Sequence, residues 1–225
     1  VSARRSARAP TGQGELAFAA PSPREEFAPG AWLLRGFVGA READVLAAVT
    51  AVVGQAPLRT MKTPGGKPMS VTMTSCGDCG WVSDRRGYRY ESTDPASGAP
   101  WPAMPPVLAA LARDAAAAVG HLAFAPDACL VNRYAVGARM TLHQDRDEAD
   151  FGQPIVSVSL GLPATFQFGG PERKGPTVRV PLQHGDVVVF GGPARLCFHG
   201  VSPVRPGEHP RLGPYRVNLT FRRAR

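Results

Sequence analysis

The sequence predicts a mainly β domain with flanking helices, built as a sandwich or jelly roll, and three observations predict it. From Ala128 onward the chain breaks into eight short β-type runs separated by turns, two helical periodicities lie ahead of them, and a stretch rich in Gly, Pro, Ser and Thr separates the two helices. In chain order, residues 1–28 mix Arg, Ala, Gly, Ser and Pro without apolar periodicity and read as a flexible tail of net charge +1. One domain, 29–225, follows. After Gly39, the run from Arg41 to Gln55 sets Val45, Leu46, Val49, Val52 and Val53 at helical spacing. The run from Pro105 to Val119 does the same with Leu108, Leu111, Ala115 and Val119, and Gly120 ends it. Residues 56–104 read as short strands and loops. The β-type runs are 128–136, 139–143, 155–161, 164–168, 177–182, 186–190, 195–199 and 215–222.

Composition narrows the function classes. The 225 residues are 44% hydrophobic and 20% charged, a globular balance. No stretch approaches the ~20 apolar residues of a bilayer span and no signal peptide opens the chain, so membrane and secretory roles are not expected. Four cysteines, at 76, 79, 129 and 197, are too sparse for a disulfide scaffold and fit reduced thiols in a cytoplasm. The net charge of +8 favours a polyanionic partner. The surplus concentrates in 58–90, with six Lys/Arg against two Asp, and in 200–225, with six Arg against one Glu. Clusters of this kind are also commonly plain solvated faces.

The sharpest local chemistry is His143-Gln144-Asp145 at the end of a β-type run. Side chains two apart on a strand share a face, so an imidazole and a carboxylate are presented together. His199, at the end of the run 195–199, supplies a third candidate, and two His with one carboxylate form the facial triad of non-haem Fe(II) oxygenases. The last run, Tyr215 to Arg222, alternates strictly: its even positions are polar and its odd positions apolar. Arg216 and Arg222 on an inner face need anions, which a dicarboxylate cosubstrate provides; a solvent-facing strand is the alternative. Asn132 and Tyr134 have the same two-residue spacing and complete a polar lining.

Taken together, the segments PDACLVNRYAVGARMTLHQDRDE, PIVSVSLGLPATFQFGG, HGDVVVFGG, FHG and RVNLTFR resemble the AlkB-type 2-oxoglutarate- and Fe(II)-dependent nucleic-acid dealkylases, and PGGKPMSVTMTSCGDCGW extends the likeness upstream. The resemblance runs from about Pro29 to Arg223. It implies a double-stranded β-helix (jelly-roll) core over about 127–223 with His143, Asp145 and His199 as Fe(II) ligands and catalytic centre. Asn132, Tyr134, Arg216, Asn218 and Arg222 would hold 2-oxoglutarate, with Arg216 on the distal carboxylate and Arg222 near the keto-acid end and Asp145; O2 is the other cosubstrate. The same likeness places an N-terminal nucleotide-recognition lid at about 56–104. There Trp81 would stack on an extruded base whose other face meets His199, while Met73, Tyr88 and Thr63 shape the pocket and hold the backbone. An aromatic platform suits base flipping, although a core or hinge aromatic is the plainer role for Trp81. Asp147 and Glu148 are either solvated loop charges or acceptors beside a cationic alkylated ring, and Arg173 either approaches the base or is an ordinary surface Arg. The chain departs from the family at Arg146, where Lys is common, and at Val217, where an aromatic is common.

The activity implied is oxidative demethylation of N-alkylated bases, such as 1-methyladenine and 3-methylcytosine, in single-stranded and also duplex DNA and in RNA, with release of formaldehyde, succinate and CO2. A monomer is expected. An oxygenase of the same core acting on a protein or small molecule, and a non-catalytic nucleic-acid-binding jelly roll, are the competing readings. Cys76-Gly-Asp-Cys79 lacks a second C-x-x-C and is not expected to hold zinc. His184 belongs to a turn, and His121 and His209 have no carboxylate partner at ligand spacing.

Overall fold

Alternation along the final strand sets the architecture. The computed structural model describes residues 24–225 and contains, in chain order, β1 (Arg24–Ala28), β2 (Ala31–Leu34), α1 (Glu42–Gln55), β3 (Arg59–Lys62), β4 (Pro68–Gly77), β5 (Gly80–Asp84), β6 (Gly87–Glu91), α2 (Pro106–Ala117), β7 (Ala128–Tyr134), β8 (Met140–His143), β9 (Ile155–Gly161), β10 (Ala164–Phe168), β11 (Val178–Leu182), β12 (Val187–Phe190), β13 (His199–Val201) and β14 (Arg216–Arg222). On β14, Val217, Leu219 and Phe221 pack with Val45, Val49, Leu108 and Leu111 of α1 and α2, so the helices cover one face of the sheet. Burying a side chain such as Phe221, which is fully enclosed, contributes roughly 1.5–3 kcal/mol. The even positions therefore face the other way, into the space between two sheets.

Those sheets form a jelly roll. The larger has the order β1-β2-β12-β9-β14-β7-β4-β3, and the smaller has β11-β10-β13-β8. Between them Leu33, Met73, Leu130, Tyr134, Ile155, Phe166, Phe168, Val188 and Phe190 form a second core. β14 lies between β7 and β9, with Asn218 opposite Asn132 on one side and Ser159 on the other, so three strands aim polar side chains at one cavity. β9 ends at Gly161, which has φ +80° and whose amide donates to His184 Nδ1 at 2.9 Å. A Cβ at Gly161 would come within 2.4 Å of the Tyr215 carbonyl oxygen, so only glycine fits that corner. His184 thus serves a turn, as its setting in the sequence indicates.

Three boundaries differ from expectation. The expected tail 1–28 reaches too far: Arg24–Ala28 pair antiparallel with β2, and Phe27 packs edge-on against Phe168 at 5.4 Å. Residues 1–23 lie outside the described residues. The run 195–199 is not a strand, because a short 3-10 turn at Gly192–Ala194 continues into Arg195, and His199 opens β13 instead of ending a strand. Within 56–104, β3 and β4 extend the large sheet through β4–β7 pairing, and only β5 and β6 form a separate hairpin. The apolar positions of β3 and β4, Met61, Val71 and Met73, face the inter-sheet core.

Candidate active site

β8 and β13 are paired with His143 directly opposite His199, and Asp145 follows β8 by two residues. Their ligand atoms all lie within 4.8 Å of one another, the one such cluster among the described residues. Asp145 Oδ1 is 3.7 Å from His143 Nε2, and its Oδ2 is 3.8 Å from His199 Nε2. Each imidazole presents Nε2 because its Nδ1 is held by a backbone carbonyl, Thr141 at 2.9 Å for His143 and Cys197 at 3.0 Å for His199. That bond fixes the tautomer and leaves a lone pair for a metal. Two nitrogens and one oxygen at the edge of an open cavity fit Fe(II) with coordination positions to spare.

Electrostatics prepare the cluster. Burial alone raises the Asp145 carboxyl, but Arg222, His199 and His143 outweigh it and hold the group well below the usual carboxylate range. Burial, with His143 adding to it, lowers His199 to about 4, so its imidazole is neutral at pH 7. The sign of the pH effect follows. A His depressed in the folded state leaves the unfolded chain binding more protons between about 4 and 6.5, so stability falls as pH drops through that window. We expect the metal-free protein to lose about 3 kcal/mol from this group between pH 7 and pH 4, and His199→Asn to remove that part of the slope in urea titrations.

Arg216, 1% exposed, sits deeper in the same cavity. Its guanidinium lies 4.8 Å from the Tyr134 ring centroid and its Nη2 donates to Ser159 Oγ at 3.0 Å, yet its buried Nε and Nη1 have no partner. A buried cation with two orphan donors is costly unless an anion meets it, and a carboxylate of 2-oxoglutarate has the matching fork geometry. Asn218 donates to Ser157 Oγ and the Val158 carbonyl and accepts from Asn132 and Thr220, while Asn132 Oδ1 keeps a free acceptor. Asn132, Tyr134, Arg216, Asn218 and Arg222 all line the cavity with His143, Asp145 and His199. Ser157 and Ser159 escaped the sequence reading. Their alternation in Val156-Ser-Val-Ser-Leu160 mirrors that of β14 and would have revealed them.

The expected substrate residues divide. Trp81 on β5 donates from Nε1 to Asp147 Oδ2 at 2.8 Å, which sets its indole two residues from Asp145, and Tyr88 on β6 stacks on it at 5.5 Å with 14° between planes. Met73 is buried in the inter-sheet core, in the same cluster that Trp81 joins. Thr63 closes the β3–β4 turn, accepting from Lys67 N on its Oγ1, and Arg173 is exposed in the loop between β10 and β11. Glu148 requires a correction as a substrate contact. It is buried, accepting from Tyr90 Oη at 2.7 Å and pairing with Arg195 at 3.0 Å and Arg222 at 3.3 Å, because two guanidiniums beneath the loop draw it inward. Arg195 and Tyr90 are also partners that the sequence did not reveal. The cysteines are all free and buried, and burial, together with Asp127, raises Cys79 to about 11.

Two imidazoles and a carboxylate gathered in a cavity that also holds the unpaired Arg216 guanidinium point to a class, and the chain belongs to the 2OG-Fe(II) oxygenase superfamily, which it matches over residues 30–222. Within it the chain is of AlkB type, similar to the alpha-ketoglutarate-dependent dioxygenase AlkB of Salmonella typhimurium at 52% identity over 208 residues, covering 92% of this chain and 96% of that one. It is 43% identical over 108 residues to the DNA N(6)-methyladenine demethylase ALKBH1D of Arabidopsis thaliana, covering 43% of this chain and 24% of that one. The solved structure of OsALKBH1 matches it with a TM-score of 0.78 at 33% identity, over 89% of this chain and 99% of that one. The chain is a dioxygenase, with Fe(II) as its cofactor and 2-oxoglutarate and O2 as cosubstrates.

Proposed function

We propose that the chain removes alkyl groups oxidatively from N-alkylated bases, such as 1-methyladenine and 3-methylcytosine, in DNA, and that it accepts RNA and works as a monomer in the cytoplasm. The carrying observation is the stacked aromatic pair Trp81–Tyr88, tied by the Trp81 indole to Asp147, two residues after Asp145 in the segment that leaves the candidate metal cluster. A relative named for demethylating DNA supports the substrate class. Four free, buried thiols fit a reducing compartment. Among the described residues, no helix is long and apolar enough to cross a membrane.

His143, Asp145 and His199 would hold Fe(II), and Arg216 would anchor 2-oxoglutarate by its far carboxylate. When bound, the iron with 2-oxoglutarate and O2 supplies oxidation of the alkyl carbon, and formaldehyde, succinate and CO2 leave beside the restored base. The chain positions and shields: Trp81 offers stacking to the extruded base, and Asp147 keeps one carboxylate oxygen for a cationic ring. Sequence-independent affinity comes from Lys62, Lys67, Arg85 and Arg86, all exposed at the tips of the β3–β4 and β5–β6 hairpins. Arg59 and Arg89 of the same basic stretch are held by Asp94 and Asp84, and Arg86 makes a longer, exposed pair with Asp84 at 3.4 Å.

The test is incubation with Fe(II), 2-oxoglutarate and a single-stranded oligonucleotide carrying one 1-methyladenine. Formaldehyde release with the matching mass loss is expected; succinate without formaldehyde on any methylated oligonucleotide would favour a protein or small-molecule substrate. Trp81→Ala should lower demethylation by about 5- to 150-fold, the equivalent of about 1–3 kcal/mol of stacking, with the salt dependence of binding unchanged. Lys62→Gln with Lys67→Gln should flatten the slope of log affinity against log salt by about 1.4 on single strands. Equal salt slopes in the two variants would overturn this division of labour.

A further inference from the structure

The turn between β11 and β12, Gln183 to Asp186, is tied to the end of β9 by three hydrogen bonds. Ser159 N donates to the Asp186 carbonyl and Gly185 N to the Ser159 carbonyl, both at 2.8 Å, and Gly161 N donates to His184 Nδ1 at 2.9 Å. Those β9 residues are the ones that meet Arg216. Gly161 lies opposite it in the β9–β14 register, and Ser159 Oγ accepts from its Nη2 at 3.0 Å. A backbone N–H can be met only by the lone pair of an unprotonated Nδ1, so the contact requires a neutral imidazole with its proton on Nε2. That Nε2 is buried and faces Glu42 Oε1, at the start of α1, at 3.5 Å. From the segment between β13 and β14, His209 stacks on the ring at 4.4 Å with 21° between planes, and Arg211 lies 3.3 Å from the same Glu42 oxygen. Asp186, in the turn itself, is taken up by Arg35 and by the amides of Gly36 and Gln183. Burial, then His209 and Arg211, hold His184 below its ordinary titration range against the pull of Glu42.

We propose that His184 is a positioning residue for the cosubstrate: its neutral ring, accepting from Gly161, sets the end of β9 and through it the Arg216 guanidinium, and a proton on that ring weakens 2-oxoglutarate binding. An imidazolium donates from both nitrogens, so protonation turns the acceptor at Nδ1 into a donor aimed at another donor. The strand end that carries Ser159 and faces Arg216 loses its tie. A bidentate contact is sensitive to such a loss, because two N–H groups must align with two carboxylate oxygens at once. By linkage, bound 2-oxoglutarate disfavours the proton on His184 by the same factor. His184 itself does not line the cavity, so it acts only through β9. The inference rests on Arg216 as the anchor of the dicarboxylate.

Calorimetric binding of 2-oxoglutarate to the Mn(II)-saturated full chain, without nucleic acid, tests it. His184→Asn keeps an acceptor near the Nδ1 position and cannot titrate, whereas His184→Leu has no acceptor. At pH 7.5 the Asn variant should bind within about twofold of wild type, and the Leu variant about five- to twentyfold more weakly with Mn(II) affinity unchanged. Between pH 7.5 and about pH 5.5 the wild-type affinity should fall about fivefold more than that of the Asn variant, the shared remainder belonging to the metal ligands. Nitrogen-15 NMR of the metal-free protein should show the Nε2–H tautomer at His184, with protection of the Gly161 amide falling in acid in the wild type and not in the Asn variant. A merely structural His184 would lower the melting temperature of the Leu variant and leave its 2-oxoglutarate affinity intact. That result, parallel pH profiles in the wild type and the Asn variant, or an Nδ1–H tautomer would overturn the positioning role. Arg216→Met, measured alongside, bears separately on the anchor: unchanged affinity there would remove Arg216 from the cosubstrate, whatever His184 does.

Discussion

Asp145→Ala is expected to abolish both succinate and formaldehyde formation, with the loss of Fe(II) binding as its cause. The substitution removes the only anionic ligand of the cluster and leaves His143 and His199 facing a divalent ion without charge compensation. The fold should survive. Removing one partner of a buried pair ordinarily costs about 3–5 kcal/mol because a charge is stranded, but Arg222 retains Glu148 at 3.3 Å as a second counter-ion. Circular dichroism should therefore remain native while Mn(II) binding, followed by calorimetry, falls by 100-fold or more. Succinate formation above a tenth of the wild-type rate would remove Asp145 from the metal shell.

Arg216→Met is expected to act with opposite signs on two measurements. In the ligand-free protein the Arg216 Nε and Nη1 are buried donors without partners, so an apolar side chain of similar length should raise the melting temperature. The cosubstrate loses its anchor at the same time. Two charge-assisted bonds, each worth about 1.5–3 kcal/mol, should raise the KM for 2-oxoglutarate by 100-fold or more, with a smaller change in kcat at saturation. Arg216→Lys should recover part of the affinity, since a single ammonium restores the charge without the planar fork. An unchanged KM in Arg216→Met would place the dicarboxylate elsewhere, and a lower melting temperature would mean that the orphan donors are satisfied.

The His–Asp pair of the candidate metal cluster and the polar lining of the cavity beside it were legible because both follow from the period of two along a strand. His143 and Asp145 share a face by spacing, and Arg216, Asn218, Thr220 and Arg222 share one by alternation. Helices α1 and α2 were legible within a few residues from their apolar spacing. The serines of β9 followed the same period and passed unnoticed, since Ser is equally at home on a solvated face. Arg24–Ala28 read as tail because an edge strand of charged residues with one Phe shows no apolar alternation.

By itself, then, the chain determined which side chains share a strand face, that these faces carry an imidazole–carboxylate pair and two arginines, and that the cationic surplus lies in the folded part. Local covalent geometry enforces such relations whatever the rest of the chain does. Only the tertiary structure decided which face turned inward. It brought His199 opposite His143 across 56 residues of sequence, sent Glu148 beneath the loop to Arg195 and Arg222, and set Tyr90 on that carboxylate. These pairings link residues far apart in the chain, and their partners are selected by desolvation. A carboxylate excluded from water takes the nearest donors that folding delivers, and no spacing rule encodes which those are.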